Sequence, residues 1–139
     1  MARIPSKVQR RDTYIERIKP FMRTNAVKVM IGHRRVGKSY ILYQLIDLSK
    51  EEEKDANIIY INKEDLEFEF IANYRDLYAY VKERLVDEHR NYIFVDEIQE
   101  ITDFRLAIRS LALDENNDIY ITGSNSEMFS SDLANELGG

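Results

Sequence analysis

The sequence predicts an α/β fold: a three-layer sandwich with a parallel sheet of about four strands and helices on both faces. Three observations carry this. Short apolar, β-branched runs at 27–31, 57–62, 91–97 and 118–122 alternate with stretches of helical periodicity, the pattern of parallel strands joined by right-handed crossovers. The second and third runs are near-continuously apolar, as expected of strands covered on both faces. Finally, polar clusters at 32–39, 96–97 and 123–125 each follow a strand, and ligands of such sheets bind beyond the carboxyl ends of the strands.

Composition narrows the functions open to the chain. Its 139 residues suit one domain, long enough to bury about two-thirds of the unfolded surface. A net charge of −5 gives no global attraction to nucleic acid or membrane, although Lys7, Arg10 and Arg11 cluster near the start. The absence of cysteine excludes disulfides, thiolate metal sites and a thiol nucleophile, and His33 and His89 are too few for an imidazole metal site. No apolar run approaches the ~18 residues of a membrane span, so a cytoplasmic protein without membrane partners is expected.

Taken in order, residues 1–11 read as an extended arm. Thr13 and Glu16 then form a capping box for a helix presenting Tyr14, Ile15, Ile18, Phe21 and Met22, which Pro20 kinks or ends. Strand one carries Val27, Val29 and Ile31. The helix after it starts at Lys38 and shows Ile41, Leu42, Leu45, Ile46 and Leu48, and the charged run 50–55 ends it as a solvated turn. Strand two is followed by a loop, 63–72, carrying Glu64, Asp65, Glu67 and Glu69. Asn73 caps a helix that turns Tyr74, Leu77, Tyr78, Val81 and Leu85 inward. After strand three, a helix over 103–113 uses Phe104, Ala107, Ile108 and Leu111. Turn 114–117 leads to strand four, and a final helical pattern surrounds Met128, Phe129, Leu133 and Leu137.

The chain is organised around Gly32-His33-Arg34-Arg35-Val36-Gly37-Lys38-Ser39, which fits G-x-x-x-x-G-K-[ST] between a strand and a helix. Glycines are needed where the backbone closes around a phosphate and a Cβ would block the approach. The backbone from Gly32 through Tyr40 would cradle the phosphates, helped by the positive end of the helix dipole. Lys38 would neutralise the β- and γ-phosphates, and the Ser39 hydroxyl would ligate Mg²⁺. His33 carries no evident chemistry, and His89 is expected at the surface. Arg34 and Arg35 read equally as phosphate or subunit contacts and as solvated loop charges.

A strand ending in a carboxylate opposite such a loop is where Mg²⁺ is held, which assigns Asp96 to the metal. Glu97 beside it could polarise a water attacking the γ-phosphate. Ser124 or Asn125, after strand four, would sense that phosphate or orient the water; the residues do not separate the two. Asn62-Lys63-Glu64-Asp65 fits N-K-x-D, the guanine-recognition pattern. It precedes the Asp96 strand, however, and Asp96-Glu97-Ile98-Gln99 lacks the glycine of D-x-x-G, so it reads as a loop following strand two.

Gly-His-Arg-Arg-Val-Gly-Lys-Ser, Ile-Phe-Val-Asp-Glu-Ile-Gln and Ile-Thr-Gly-Ser-Asn-Ser with Leu-Ala-Asn-Glu-Leu-Gly-Gly together resemble the prokaryotic AAA-type ATPases of the ASCE P-loop group. The likeness is strongest to a predicted-ATPase family in which this module precedes a separate C-terminal domain. The resemblance implies a P-loop NTPase sandwich of strand order 5-1-4-3-2. It also implies Lys38 and Ser39 as Walker A residues, Asp96 and Glu97 as the Walker B pair, and a sensor at Ser124 or Asn125. In that family the final Leu-x-Gly-Gly runs into an arginine and a fifth strand. The reading is therefore a truncated core, 1–139, with an arm and helix over 1–23 and order 1-4-3-2. The expected function is Mg²⁺-dependent ATP hydrolysis driving conformational change. The alternative is a nucleotide-dependent switch or interaction module with little turnover. A small-molecule kinase fits less well, because Glu97 suits water activation and no acceptor lid is evident. Homo-oligomers, and a DNA or protein client engaged through the absent domain, are the partners the resemblance suggests.

Overall fold

A computed structural model describes residues 16–24, 26–31 and 38–124, without the side chains of residues 31, 38 and 39. The N-terminal arm, the capping box at Thr13, the loop 32–37 and everything from Asn125 onward lie outside the described residues. Four strands, β1 (Lys28–Ile31), β2 (Asn57–Asn62), β3 (Asn91–Asp96) and β4 (Asn117–Gly123), form one sheet in the order β1-β4-β3-β2. Every pairing is parallel. The chain therefore has the α/β architecture and strand order read from its sequence.

Strand period divides the sheet residues between two cores. Ile59, Ile61, Ile93, Val95, Ile119 and Ile121 point to one face. Helices α2 (Tyr74–Arg84) and α3 (Phe104–Leu111) cover it with Leu77, Val81, Phe104, Ala107, Ile108 and Leu111. Tyr92, Phe94, Tyr120 and Met30 point to the other, where α1 (Lys38–Glu52) packs Ile41, Leu42 and Leu45, and Ile18 and Met22 close the edge. Phe94 and Tyr120 stack across adjacent strands, centroids 4.6 Å apart. Each fully buried aliphatic side chain contributes about 1.5–3 kcal/mol, so the two faces supply most of the drive to this topology.

Local chemistry sets the element boundaries. The Asn73 side chain accepts from the Arg75 and Asp76 amides while Asp76 returns the bond, a capping box that starts α2. Pro20 sits at the start of a 3₁₀ turn, Lys19–Phe21, so the N-terminal helical residues tighten and end there. Two expectations need correcting. Phe21 is 55% exposed rather than on the inner side, because the 3₁₀ turn rotates it off the face that buries Ile18 and Met22. The run 50–55 is not simply a solvated turn: α1 continues to Glu52, and Glu53 accepts from the Tyr92 hydroxyl at 2.9 Å and the Arg90 amide at 3.3 Å.

The amino ends of the strands are tied by polar side chains. Asn57, Asn91 and Asn117 lie side by side in register. Asn57 Nδ2 donates to Asn91 Oδ1 at 2.7 Å, and Asn91 Nδ2 donates to Asn117 Oδ1 at 3.2 Å. Nearby, Lys28 and Asp118 form a buried ion pair. The Asp118 carboxylate also accepts the Tyr120 hydroxyl at 2.6 Å and the Arg23 amide at 2.7 Å. Burial holds the Lys28 ammonium below its ordinary range despite the attraction of Asp118. Burial, then the Asp118 charge, pushes the Tyr120 phenol well above its ordinary value.

Candidate functional site

The register brings three strand ends level at the carboxyl edge. Ile31, the last residue of β1, pairs with Gly123 of β4, so the chain enters the 32–39 segment directly beside the end of β4. On the other side of β4, Val95 pairs with Ile121, which sets Asp96 and Glu97 against Thr122 to Ser124. Two of the three polar clusters, 96–97 and 123–124, therefore meet, and the third begins next to them. Helix α1 starts at Lys38. Of the sequence-predicted residues, Gly32, His33, Arg34, Arg35, Val36, Gly37 and Asn125 lie outside the described residues, as do the side chains of Lys38 and Ser39. Tyr40, on the first turn of α1, is half exposed.

Asp96 and Glu97 are both buried, at 1% and 3% exposure, although carboxylates are seldom buried unless paired or hydrogen-bonded. Asp96 follows the alternation of Tyr92 and Phe94 and so belongs to the α1 face of the sheet. Its Oδ1 accepts the Thr122 hydroxyl at 2.5 Å. The same Thr122 oxygen accepts the Glu97 amide at 3.0 Å. One hydroxyl thus orients the Asp96 carboxylate and fixes the backbone turn that follows it.

That turn is unusual. Glu97 has φ 58° and ψ 52°, left-handed for a residue with a Cβ, at a cost of about 1–3 kcal/mol. The fully buried Ile98 anchors it in the core, and the 3₁₀ turn Ile98–Glu100 closes behind it. The carboxylate is held as well: Glu97 Oε1 accepts the Ser124 hydroxyl at 2.5 Å and the Gln99 Nε2 at 2.6 Å. Gln99 Oε1 in turn accepts the Ser124 amide at 3.3 Å. Asp96, Glu97 and Ser124 are brought together, and Thr122 and Gln99 are the residues that join them.

Neither Thr122 nor Gln99 stood out in the sequence. Thr122 reads as an ordinary β-former, and only its period-two relation to Tyr120 signals that it faces α1. Gln99 lies two residues beyond Glu97 within a motif whose acids draw the attention. The Asn62–Asp65 segment, by contrast, spends its polar groups on its own loop. Asn62 accepts the Glu64 amide at 3.0 Å, and Asp65 accepts the Glu67 amide at 3.0 Å. Lys63 Nζ donates to the carbonyls of Phe68 and Ile71, both at 2.7 Å.

The donor set can be tested against a divalent cation. Among the described residues no group of three or more His, Cys, Asp or Glu side chains could hold a metal by itself. A buried strand-end carboxylate fits Mg²⁺, which takes one or two protein oxygens and completes its shell with phosphate oxygens and water. No helix among the described residues is long and apolar enough to cross a membrane.

A family model described as AAA domain matches residues 24–139. An uncharacterized protein of Haemophilus influenzae is 33% identical over 131 residues, covering 93% of this chain and 33% of that protein. An uncharacterized protein of Methanocaldococcus jannaschii is 35% identical over 134 residues, covering 96% of this chain and 28% of that protein. The chain thus spans about a third of the length of the curated relatives it matches.

Proposed function

This chain belongs to the AAA domain family, and on that premise we propose that it binds ATP with Mg²⁺ and hydrolyses it to drive a conformational change. The observation that carries the reading is the convergence at the carboxyl edge. The end of β1, which enters the Gly-x-x-x-x-Gly-Lys-Ser segment, is level with the end of β4, and β4 is joined by hydrogen bonds to the buried acids after β3.

In this reading the backbone of 32–37 and the Lys38 side chain bind the phosphates. Ser39 and Asp96 hold Mg²⁺, which when bound would offset the charge on the β- and γ-phosphates. Thr122 aims Asp96 by donating to it. Glu97 accepts a proton from the attacking water, and burial at its position keeps bulk water from competing. Ser124 or Asn125 contacts the γ-phosphate. An oligomer, a nucleic-acid or protein client and a C-terminal domain belong to the same proposal for the longer protein.

A second reading, a nucleotide-dependent switch with little turnover, is favoured by one feature: Glu97 Oε1 is already engaged by two donors. Glu97→Gln separates the two. Hydrolysis predicts a fall in turnover of 10² or more with ATP retained on the protein, whereas a switch predicts no change. Lys38→Ala should abolish the thermal stabilisation that saturating Mg·ATP gives, which amounts to about 2.7 kcal/mol at 100 times Kd. Stabilisation that survives this substitution would sink the phosphate assignment.

A further inference from the structure

The Gln99 side chain touches both Glu97 and Ser124. Its amide spans the gap between the end of β3 and the end of β4, donating to Glu97 Oε1 at 2.6 Å and accepting from the Ser124 amide at 3.3 Å. The Ser124 hydroxyl donates to the same Oε1 at 2.5 Å. A serine hydroxyl has one proton to give. It cannot donate to Glu97 and to a phosphate oxygen at the same time. If Ser124 turns to nucleotide, the Glu97 carboxylate loses that donor at the moment it must hold a water in line. The Gln99 amide carries no such conflict, because its donor and acceptor act on different partners.

We propose that Gln99 is a positioning residue for Glu97: its amide keeps the carboxylate in place when the Ser124 hydroxyl turns from Glu97 to the γ-phosphate, and links that movement to the β4 backbone. This rests on the hydrolytic reading of the site. The left-handed backbone at Glu97 supports it. A carboxylate on a strained turn keeps one orientation only where surrounding bonds over-determine it. Among those bonds, the Glu97 amide donates to the Thr122 hydroxyl oxygen and the Gln99 amide donates to the Glu97 side chain. Replacing Gln99 by Leu removes donor and acceptor at similar size. Gln99→Glu keeps an acceptor but sets a second carboxylate against the first.

The test measures Mg·ATP affinity, kcat and KM for the parent chain, Gln99→Leu, Gln99→Glu, Glu97→Gln and the Glu97→Gln/Gln99→Leu double variant, with thermal midpoints to verify folding. Affinity and KM should stay within about threefold, while kcat falls ten- to a hundredfold in both Gln99 variants. Gln99→Leu should cost nothing further once Glu97 is Gln, because residues acting as one unit are not additive. Turnover that needs Glu97 but ignores Gln99 overturns this inference alone. So does an equal further loss in the double variant, or a loss of nucleotide affinity. A parent rate that Glu97→Gln leaves unchanged overturns the hydrolytic reading, and this inference with it.

Discussion

Thr122 donates its hydroxyl to Asp96 at 2.5 Å, joining two adjacent parallel strands one residue beyond their last paired position. The bond is buried, and the same oxygen receives the Glu97 amide. A single threonine therefore satisfies two polar groups that solvent does not reach.

Thr122→Val should accordingly destabilise the fold by about 1–3 kcal/mol, since it removes the hydroxyl bonded to a buried carboxylate and to a buried amide. Thr122→Ser, which keeps the hydroxyl, should lie near the parent. Urea denaturation reads both. A valine variant as stable as the parent would show that the bond contributes little.

Lys28 and Asp118 make a different prediction. Removing one partner, as in Lys28→Met or Asp118→Asn, should cost about 3–5 kcal/mol, because the remaining group stays buried with its partner gone. Replacing both by Met and Leu should recover most of the loss. A double-mutant cycle followed by chemical denaturation measures the coupling.

Alkaline pH should separate two opposing contributions. Burial, then the hydrogen bond to Glu53, pushes Tyr92 from 10 up to about 12. The folded state there holds a proton that the unfolded state releases, so this contribution is complete below pH 10 and is lost as pH rises towards 12. Lys28 runs the other way: its lowered value means the unfolded chain binds the extra proton, and stability from this group grows as pH approaches 10.5. Denaturation midpoints between pH 9 and 12 should fall for the parent and fall less for Tyr92→Phe. Equal slopes would contradict the Tyr92 assignment.

The 63–72 loop gives a fourth. Lys63→Met removes the bonds to the Phe68 and Ile71 carbonyls, so this loop should exchange amide hydrogens and be nicked by protease faster than in the parent. Nucleotide preference between ATP and GTP should not move. A selective loss of GTP binding would reinstate guanine recognition by Asn62–Asp65.

The sequence made the layers legible because they depend on local pattern. Apolar runs such as 92–95 announce a doubly covered strand, and Asn73 announces a helix start. Asp96, Glu97 and Ser124 were picked out by residue type and position after strands. Thr122, Gln99 and Glu53 were not, because each acts on a partner fixed only by register or packing. Thr122 and Asp96 are 26 residues apart, Ser124 and Gln99 25, and Tyr92 and Glu53 39. Nothing in the neighbouring residues of Glu53 distinguishes it from the solvated acids at its side.

The row of Asn57, Asn91 and Asn117 acts as a datum from which three strands are measured. Each strand runs five to six residues from its asparagine to the opposite edge, about 20 Å, so Asn62, Asp96 and Thr122 emerge at one height. A slip of one residue in any strand would exchange its two faces. It would carry Asp96 to the α2 and α3 side, away from the helix that begins at Lys38. The alignment of the functional edge is thus gauged at the opposite end of the molecule, by amides that no ligand there could touch.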